Sequence, residues 1–272
     1  MKKFGIIAGG GDLPLIISNN LKKNKFEVFI IGIKNNFNSN KFKGKFNFVE
    51  HKIGSLTKIL NSLKKEKINQ IIFAGSIKRP SYKDYSFDLK ALQFLRQYNI
   101  DKLGDNNLLK SISNYFQQNG YKFIKWRKYC PELFIDNKSI TTIKPSDIAY
   151  VNLKKSLEIF KYFGKSDVGQ SIIAQNKMIL GLEAAEGTDE LIKRCTKYKR
   201  IGDKGILVKL MKYNQDERFD LPTIGIDTLK KLKKFNYEGI FIQKNFCIII
   251  NKNEVIKYAN NNNLFIEGIN KS

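Results

Sequence analysis

Apolar residues fall into short runs separated by polar stretches of helical period, and the rhythm is most regular in the first half of the chain. Residues 3–8 form an apolar run that ends on Gly9-Gly10-Gly11, after which Pro14 opens a helical pattern through Ile16, Ile17 and Leu21. Proline suits a first helical turn because the N–H it lacks has no intrahelical partner there. Residues 26–33 and 68–74 read as further buried strands with a helix over 56–65 between them. Such alternation predicts a parallel sheet with helices on both faces. Helical periodicity returns at 87–97 and 106–118, stops at Gly120, and gives way to a strand at 121–124. A Rossmann-like domain is expected over residues 1–130.

From Pro145 the pattern is less regular. A long amphipathic helix spans 146–163, and runs at 171–173 and 178–182 read as a hairpin. There follow a helix at 188–198, a strand at 205–210, a helix at 227–234, a hairpin within 240–250, a helix at 253–260 and a last strand at 264–266. This predicts a second, mixed α/β domain over 131–272, reached through a loop at 131–144 and without internal repeats. Two closely joined domains suggest a ligand between them.

Composition narrows the class of partner. The net charge of +24 in 272 residues would suit nucleic acid or an anionic membrane face. Arginine occurs only at Arg79, Arg96, Arg127, Arg194, Arg200 and Arg218, so lysine carries the charge. Lysine, asparagine and isoleucine all have AT-rich codons, and a nucleic-acid surface would favour the planar fork of arginine. Nucleic acid is therefore not the expected partner, whereas attraction to anionic lipid headgroups remains open. Cys130, Cys195 and Cys247 are far apart, with no CxxC pair, and are expected to be reduced core residues. The first apolar run is too short for a signal peptide and no stretch is long enough to span a bilayer, which points to the cytoplasm.

Candidate chemistry lies in loops. Gly9-Gly10-Gly11-Asp12-Leu13-Pro14 stands where a dinucleotide fold puts its phosphate loop. Pro14 replaces the third glycine of GxGxxG, and the second strand ends in Ile31-Gly32-Ile33 without an acid, so NAD is not expected. Gly10, Gly11, Leu13 and Pro14 either contact a phosphate or sugar or make a tight packing turn. Gly75, Ser76, Lys78 and Arg79 follow the third strand and should reach the same sheet edge, as ligand contacts or as a solvated basic loop. Asp105 reads as a helix cap. In the second domain, Gly169-Gln170 precedes the first hairpin strand, while Glu183, Glu186, Gly187, Thr188 and Asp189 follow the second. These could hold a cation or ligand hydroxyl, and helix capping explains Thr188 and Asp189 equally well.

The strongest local signal is the segment 209–225. Asp216, Arg218 and Asp220 alternate, which in an extended stretch puts all three on one side, and Pro222 disfavours helix at Leu221. Diphosphate cleavage needs neutralised non-bridging oxygens and an oriented water. Lys209, Lys212 and Arg218 with a carboxylate-held Mg²⁺ could supply the first and a carboxylate the second, though a solvated loop explains the same residues. His51, beside Phe48-Val49-Glu50, is the only histidine, which excludes histidine-based triads.

Taken together, Ile7-Ala8-Gly9-Gly10-Gly11, Leu13-Pro14, Phe73-Ala74-Gly75, Asp167, Gly169-Gln170, Glu183-Ala184, Glu186-Gly187-Thr188-Asp189 and Asp220-Leu221-Pro222-Thr223-Ile224-Gly225 resemble the UDP-2,3-diacylglucosamine pyrophosphatase family of lipid A biosynthesis, alphaproteobacterial type. The resemblance runs along essentially the whole chain. It implies Mg²⁺-dependent hydrolysis of a lipid-linked sugar nucleotide, UDP-2,3-diacylglucosamine, to UMP and 2,3-diacylglucosamine 1-phosphate, with water attacking the sugar-side phosphorus. Substrate would lie between the domains. Asp220 takes the place of the family's essential aspartate, and its part as metal ligand, joined by Glu186, or as water-orienting base is our inference. Asp216 and Arg218 are the further catalytic candidates. Asn106 stands where relatives often carry a second aspartate, which puts a role for an acid there in doubt. A diacylated substrate also implies transient contact with the inner membrane, and a homodimer is the expected assembly. The alternatives are a noncatalytic sugar-nucleotide-binding protein and a basic RNA-binding protein.

Overall fold

The computed structural model describes residues 2–77, 87–98, 105–166 and 168–271, with the side chains of 105 and 106 left aside. The chain divides into two compact units, one of residues 1–131 with 216–219, the other of 132–215 with 220–272.

The first unit is built on a five-stranded parallel sheet. Its strands are β1 (Lys3–Ala8), β2 (Glu27–Ile33), β3 (Asn47–His51), β4 (Gln70–Ala74) and β5 (Lys122–Phe123), in the order β3-β2-β1-β4-β5. This is the doubly wound order, with β1 and β4 flanking the point where the winding reverses. Helices α1 (Leu13–Lys23), α2 (Leu56–Lys65), α3 (Leu89–Tyr98) and α4 (Asp105–Gln118) belong to this unit. The inner strands β1, β2 and β4 are largely apolar, as strands covered on both faces are, and Phe4, Ile6, Ile30, Ile31 and Ile71 are fully buried. Each such side chain contributes roughly 1.5–3 kcal/mol by leaving water.

The second unit carries a mixed sheet. Its strands are β6 (Ser171–Gln175), β7 (Met178–Leu182), β8 (Ile206–Lys209), β10 (Gly239–Gln243) and β12 (Phe265–Ile269), in the order β12-β10-β8-β6-β7. Strands β8, β10 and β12 run parallel, and the β6–β7 hairpin joins antiparallel to β8. Helix α5 (Asp147–Phe163) packs Ala149, Leu153 and Phe160 against Phe241 and Phe265. Residues of α6 (Gly187–Cys195), α7 (Ile226–Lys234) and α8 (Lys252–Asn261) enclose a second core around Leu207, Ile240 and Ile266. The cysteines are all buried and unbonded to one another.

Two expectations change. The hairpin turn is only Asn176-Lys177, both left-handed at φ 49° and 64°, so the first strand continues through Ala174 and Gln175. Two adjacent left-handed residues match the twist of the strands they join. The segment 240–250 is not a hairpin. Strand β10 has both edges taken by β8 and β12, so β11 (Ile248–Ile249) leaves the sheet and pairs in parallel with β9 (Thr223–Ile224).

Candidate active site

In the second unit, a polar cluster forms at the carboxyl end of β8. Lys209 is the last residue of that strand and pairs in register with Ser171 at the start of β6. It is 7% exposed. Its Nζ donates to Thr188 Oγ1 at 2.7 Å, and Thr188 Oγ1 donates to Glu183 Oε1 at 2.7 Å. Direction follows from chemistry: an ammonium can only donate, so the hydroxyl gives its proton to the carboxylate. The Ser171 hydroxyl lies 3.3 Å from the same Thr188 oxygen, and Glu183 Oε2 accepts the Gln170 N–H at 3.0 Å. A buried ammonium needs such compensation, because desolvating a lone charge costs several kcal/mol, of that order. Among the described residues Thr188 is the one hydrogen-bond partner of the Lys209 ammonium, which has three donors to give.

Gln170 links this cluster to Asp220. Its Nε2 lies 3.5 Å from Asp220 Oδ2, and Gln215 Nε2 donates to the same oxygen at 2.6 Å. The Gln215 amide orientation is fixed, since its Oε1 accepts the Lys212 N–H at 3.0 Å. Lys212 and Gln215 are both 7% exposed. Gly169 permits the approach of the two loops, because a Cβ there would lie 2.2 Å from the Glu183 carbonyl oxygen. Gly187 has φ +77° at the first position of α6 and delivers Thr188 to Glu183.

Three candidates do other work. The extended reading of 216–220 fails: a turn closes with the Phe219 N–H on the Asp216 carbonyl at 3.1 Å. Asp216 accepts the Arg218 N–H and Nε at 2.9 Å each and pairs with its terminal nitrogen at 2.5 Å. This local pairing outcompetes alternation, and Asp216 and Arg218 lie in the first unit, where Phe219 packs on Phe73 and Phe123. Burial raises the Asp216 carboxyl, but the Arg218 side chain and backbone N–H outweigh it and hold the group below its usual range. Glu186, read as a metal ligand, instead accepts from Arg194 Nε at 2.9 Å and from the Ala184 N–H at 3.1 Å. Its carboxyl is raised by burial but lowered more by these donors, so it ends below its ordinary value.

In the first unit, the glycine turn and the loop after β4 are bound to each other. Gly9 N–H donates to the Ala74 carbonyl at 2.9 Å, and Gly10 and Ser76 exchange N–H···O bonds at 2.7 and 3.1 Å. Gly75 has φ +86°, and a Cβ on it would stand 2.4 Å from the Gly10 carbonyl oxygen. Close backbone packing therefore explains Gly9, Gly10 and Gly75. Gly11, at φ +85° with nothing within 4 Å of its Cβ position, lies open just ahead of α1, which starts at Leu13 with Pro14 buried. Asp12 pairs with Lys41. Lys78, Arg79 and Asp167 lie outside the described residues. Helix α4 starts at Asp105 itself.

Among the described residues no three His, Cys, Asp or Glu side chains gather as a metal centre. Mg²⁺ needs fewer, since it is usually held by one or two carboxylates together with substrate phosphates and water. Glu186 and Asp216 are both bound to arginines, whereas Asp220 accepts from the Gln170 and Gln215 amides.

The fold is that of a two-unit α/β protein whose second unit holds a buried lysine and an amide-bound carboxylate. Two family models divide the sequence between them: the LpxI N-terminal domain over residues 3–133 and the LpxI C-terminal domain over 136–267. A Caulobacter vibrioides protein described as UDP-2,3-diacylglucosamine pyrophosphatase LpxI is 25% identical over 278 aligned residues, covering 99% of this chain and 98% of the relative. The chain belongs to the LpxI family, whose enzymes are hydrolases of lipid A biosynthesis.

Proposed function

We propose that this chain hydrolyses the diphosphate of UDP-2,3-diacylglucosamine, releasing UMP and 2,3-diacylglucosamine 1-phosphate. The observation that carries the reading is the clamped Asp220 and buried Lys209 within a chain aligned end to end with a relative of that name. Lys209 gives its remaining ammonium donors to a non-bridging phosphate oxygen, a charge-assisted contact in a site largely closed to water. Thr188, itself held by Glu183, keeps that ammonium in place. Gln170 and Gln215 position Asp220, which would hold a bound Mg²⁺ or orient the attacking water. When bound, the ion would neutralise charge on the phosphate oxygens. Gly11, in the first unit, leaves its backbone open just ahead of α1, where an anion could be met. A homodimer with transient contact to the inner membrane completes the proposal.

Asp220→Ala is the decisive variant. UMP release from the lipid nucleotide should fall by about 10²–10⁴-fold, the usual range for a positioned acid or base, with the circular dichroism spectrum unchanged. Chelation should stop the parent reaction, and H₂¹⁸O should label the sugar phosphate and not UMP. Near-parental turnover in Asp220→Ala would overturn the reading. Tight binding without any UMP release would favour a noncatalytic binding protein.

A further inference from the structure

In the second unit, residues 197–204 connect α6 to β8. Ile201 stands wholly in solvent, at 103% of its reference exposure, and Tyr198 is 58% exposed. Isolated exposed apolar side chains are ordinary. Here, however, the hairpin turn beneath fastens the backbone on both sides of the isoleucine. Gln175 Nε2 donates to the Arg200 and Asp203 carbonyls at 2.9 and 2.6 Å, and its Oε1 accepts the Arg200 N–H at 2.9 Å. Asn176 Nδ2 donates to the Ile201 carbonyl at 3.0 Å, and its Oδ1 accepts the Asp203 N–H at 3.1 Å. The loop thus holds its apolar tip outward and cannot fold it back without breaking these bonds.

Charge around the tip is sorted. The Asp203 carboxylate is drawn inward, accepting from the Gly205 and Asn176 N–H groups at 2.6 Å each and from Asn152 Nδ2 at 3.2 Å. Lys199 is also drawn in, donating to the Phe235 and Asn236 carbonyls at 3.0 and 2.6 Å. Lys177, Lys197, Arg200 and Lys204 remain exposed. An exposed aliphatic tip is left with exposed cations along its own loop and on the hairpin turn beneath.

We propose that this loop docks the protein on an anionic lipid bilayer. Ile201 and Tyr198 enter the boundary between headgroups and acyl chains, and the four cations face the phosphate layer. Aliphatic and tyrosine side chains gain there by leaving water while the phenol stays hydrated. Each basic residue near an anionic leaflet adds attraction. Nucleic acid would engage the cations but has no use for an exposed isoleucine. Docking of this kind does not depend on the hydrolytic reading.

The test is sedimentation of the full chain with phosphatidylglycerol–phosphatidylcholine vesicles and with phosphatidylcholine alone. Binding to the anionic vesicles alone, weakening with salt, is expected. Ile201→Asp should lower the vesicle affinity by about tenfold or more, and Lys197→Gln or Lys204→Gln by about fivefold each. Tyr162→Ser, at another exposed position, should change nothing. In Ile201→Trp, brominated acyl chains should quench new fluorescence above the background of Trp126, which is 3% exposed. Parental affinity in Ile201→Asp, or no quenching in Ile201→Trp, overturns the proposal. So does a change in the oligomeric state of lipid-free Ile201→Asp with vesicle binding intact, which would make the tip a contact between copies. Ile201→Asp is expected to hydrolyse detergent-dispersed substrate at the parental rate, so failure of docking and failure of hydrolysis are read separately.

Discussion

Replacing Gln215 by glutamate puts a second carboxylate where an amide now holds Asp220. The replaced nitrogen lies 2.6 Å from Asp220 Oδ2, and the other amide atom, an oxygen, would still accept the Lys212 N–H. Two unit charges about 4 Å apart at an effective dielectric near 20 repel by about 4 kcal/mol, which corresponds to about 3 pK units. The pair would keep one shared proton up to a pH well above the ordinary carboxyl value. Below that pH the protonated glutamate donates to Asp220 as the amide did. Above it, both groups ionise and Asp220 is driven from its position. The ratio of kcat/KM for Gln215→Glu to that of the parent should therefore be near unity at pH 5.5 and lower by about tenfold or more at pH 8.5, as the shared proton is lost. Stability follows the same sign. The folded pKa lies above the unfolded one, so the native state binds more protons, and stability is lost as pH rises from the unfolded value through the raised folded one, by up to about 4 kcal/mol. Thermal unfolding at the two pH values measures it. A ratio that stays flat with pH refutes the claim that Gln215 positions an ionised Asp220. Gln215→Leu separates charge from geometry, since its defect should not vary with pH.

Other outcomes follow from the same contacts. Glu186→Ala should keep turnover and Mg²⁺ dependence within about twofold, because its carboxylate serves Arg194; a shifted Mg²⁺ titration would restore it as a ligand. Gly169→Ala meets backbone at 2.2 Å, which cannot yield as a flexible side chain would. A loss of at least about 1–3 kcal/mol is expected in urea unfolding, and an unchanged midpoint would mean that the Gly169–Glu183 approach is not tight. The Asp216 carboxyl lies below its ordinary value when folded. Its pairing therefore stabilises above the unfolded pKa near about 4 and is lost as pH falls through the folded value. Arg218→Gln should flatten the acid limb of a stability–pH curve, and an unaltered limb would count against the pair.

The first sheet was readable because parallel strands covered on both faces are continuous apolar runs, and Gly9 and Gly120 punctuate them. Strand order was not, since nothing local tells β1 that its neighbours will be β2 and β4. The misread hairpin at 240–250 has the same root: periodicity reports that a segment is buried and extended, but not which edges are already taken. Asp220 was legible as an acid beside a proline-stiffened turn. What holds it was not, because Gln170 lies fifty positions away and glutamines carry no period or charge to mark them. Asp216 and Arg218 show the converse. An aspartate two residues ahead of an arginine can satisfy itself locally, by capping that residue's N–H and gripping its guanidinium, so its alternation with Asp220 carried no weight. Acids with a partner two or three positions away are spoken for by the chain itself. Asp220 and Glu183 draw partners from five positions away and, through Gln170, from a separate loop, so part of their placement is a property of the assembled unit and no local spacing announces it.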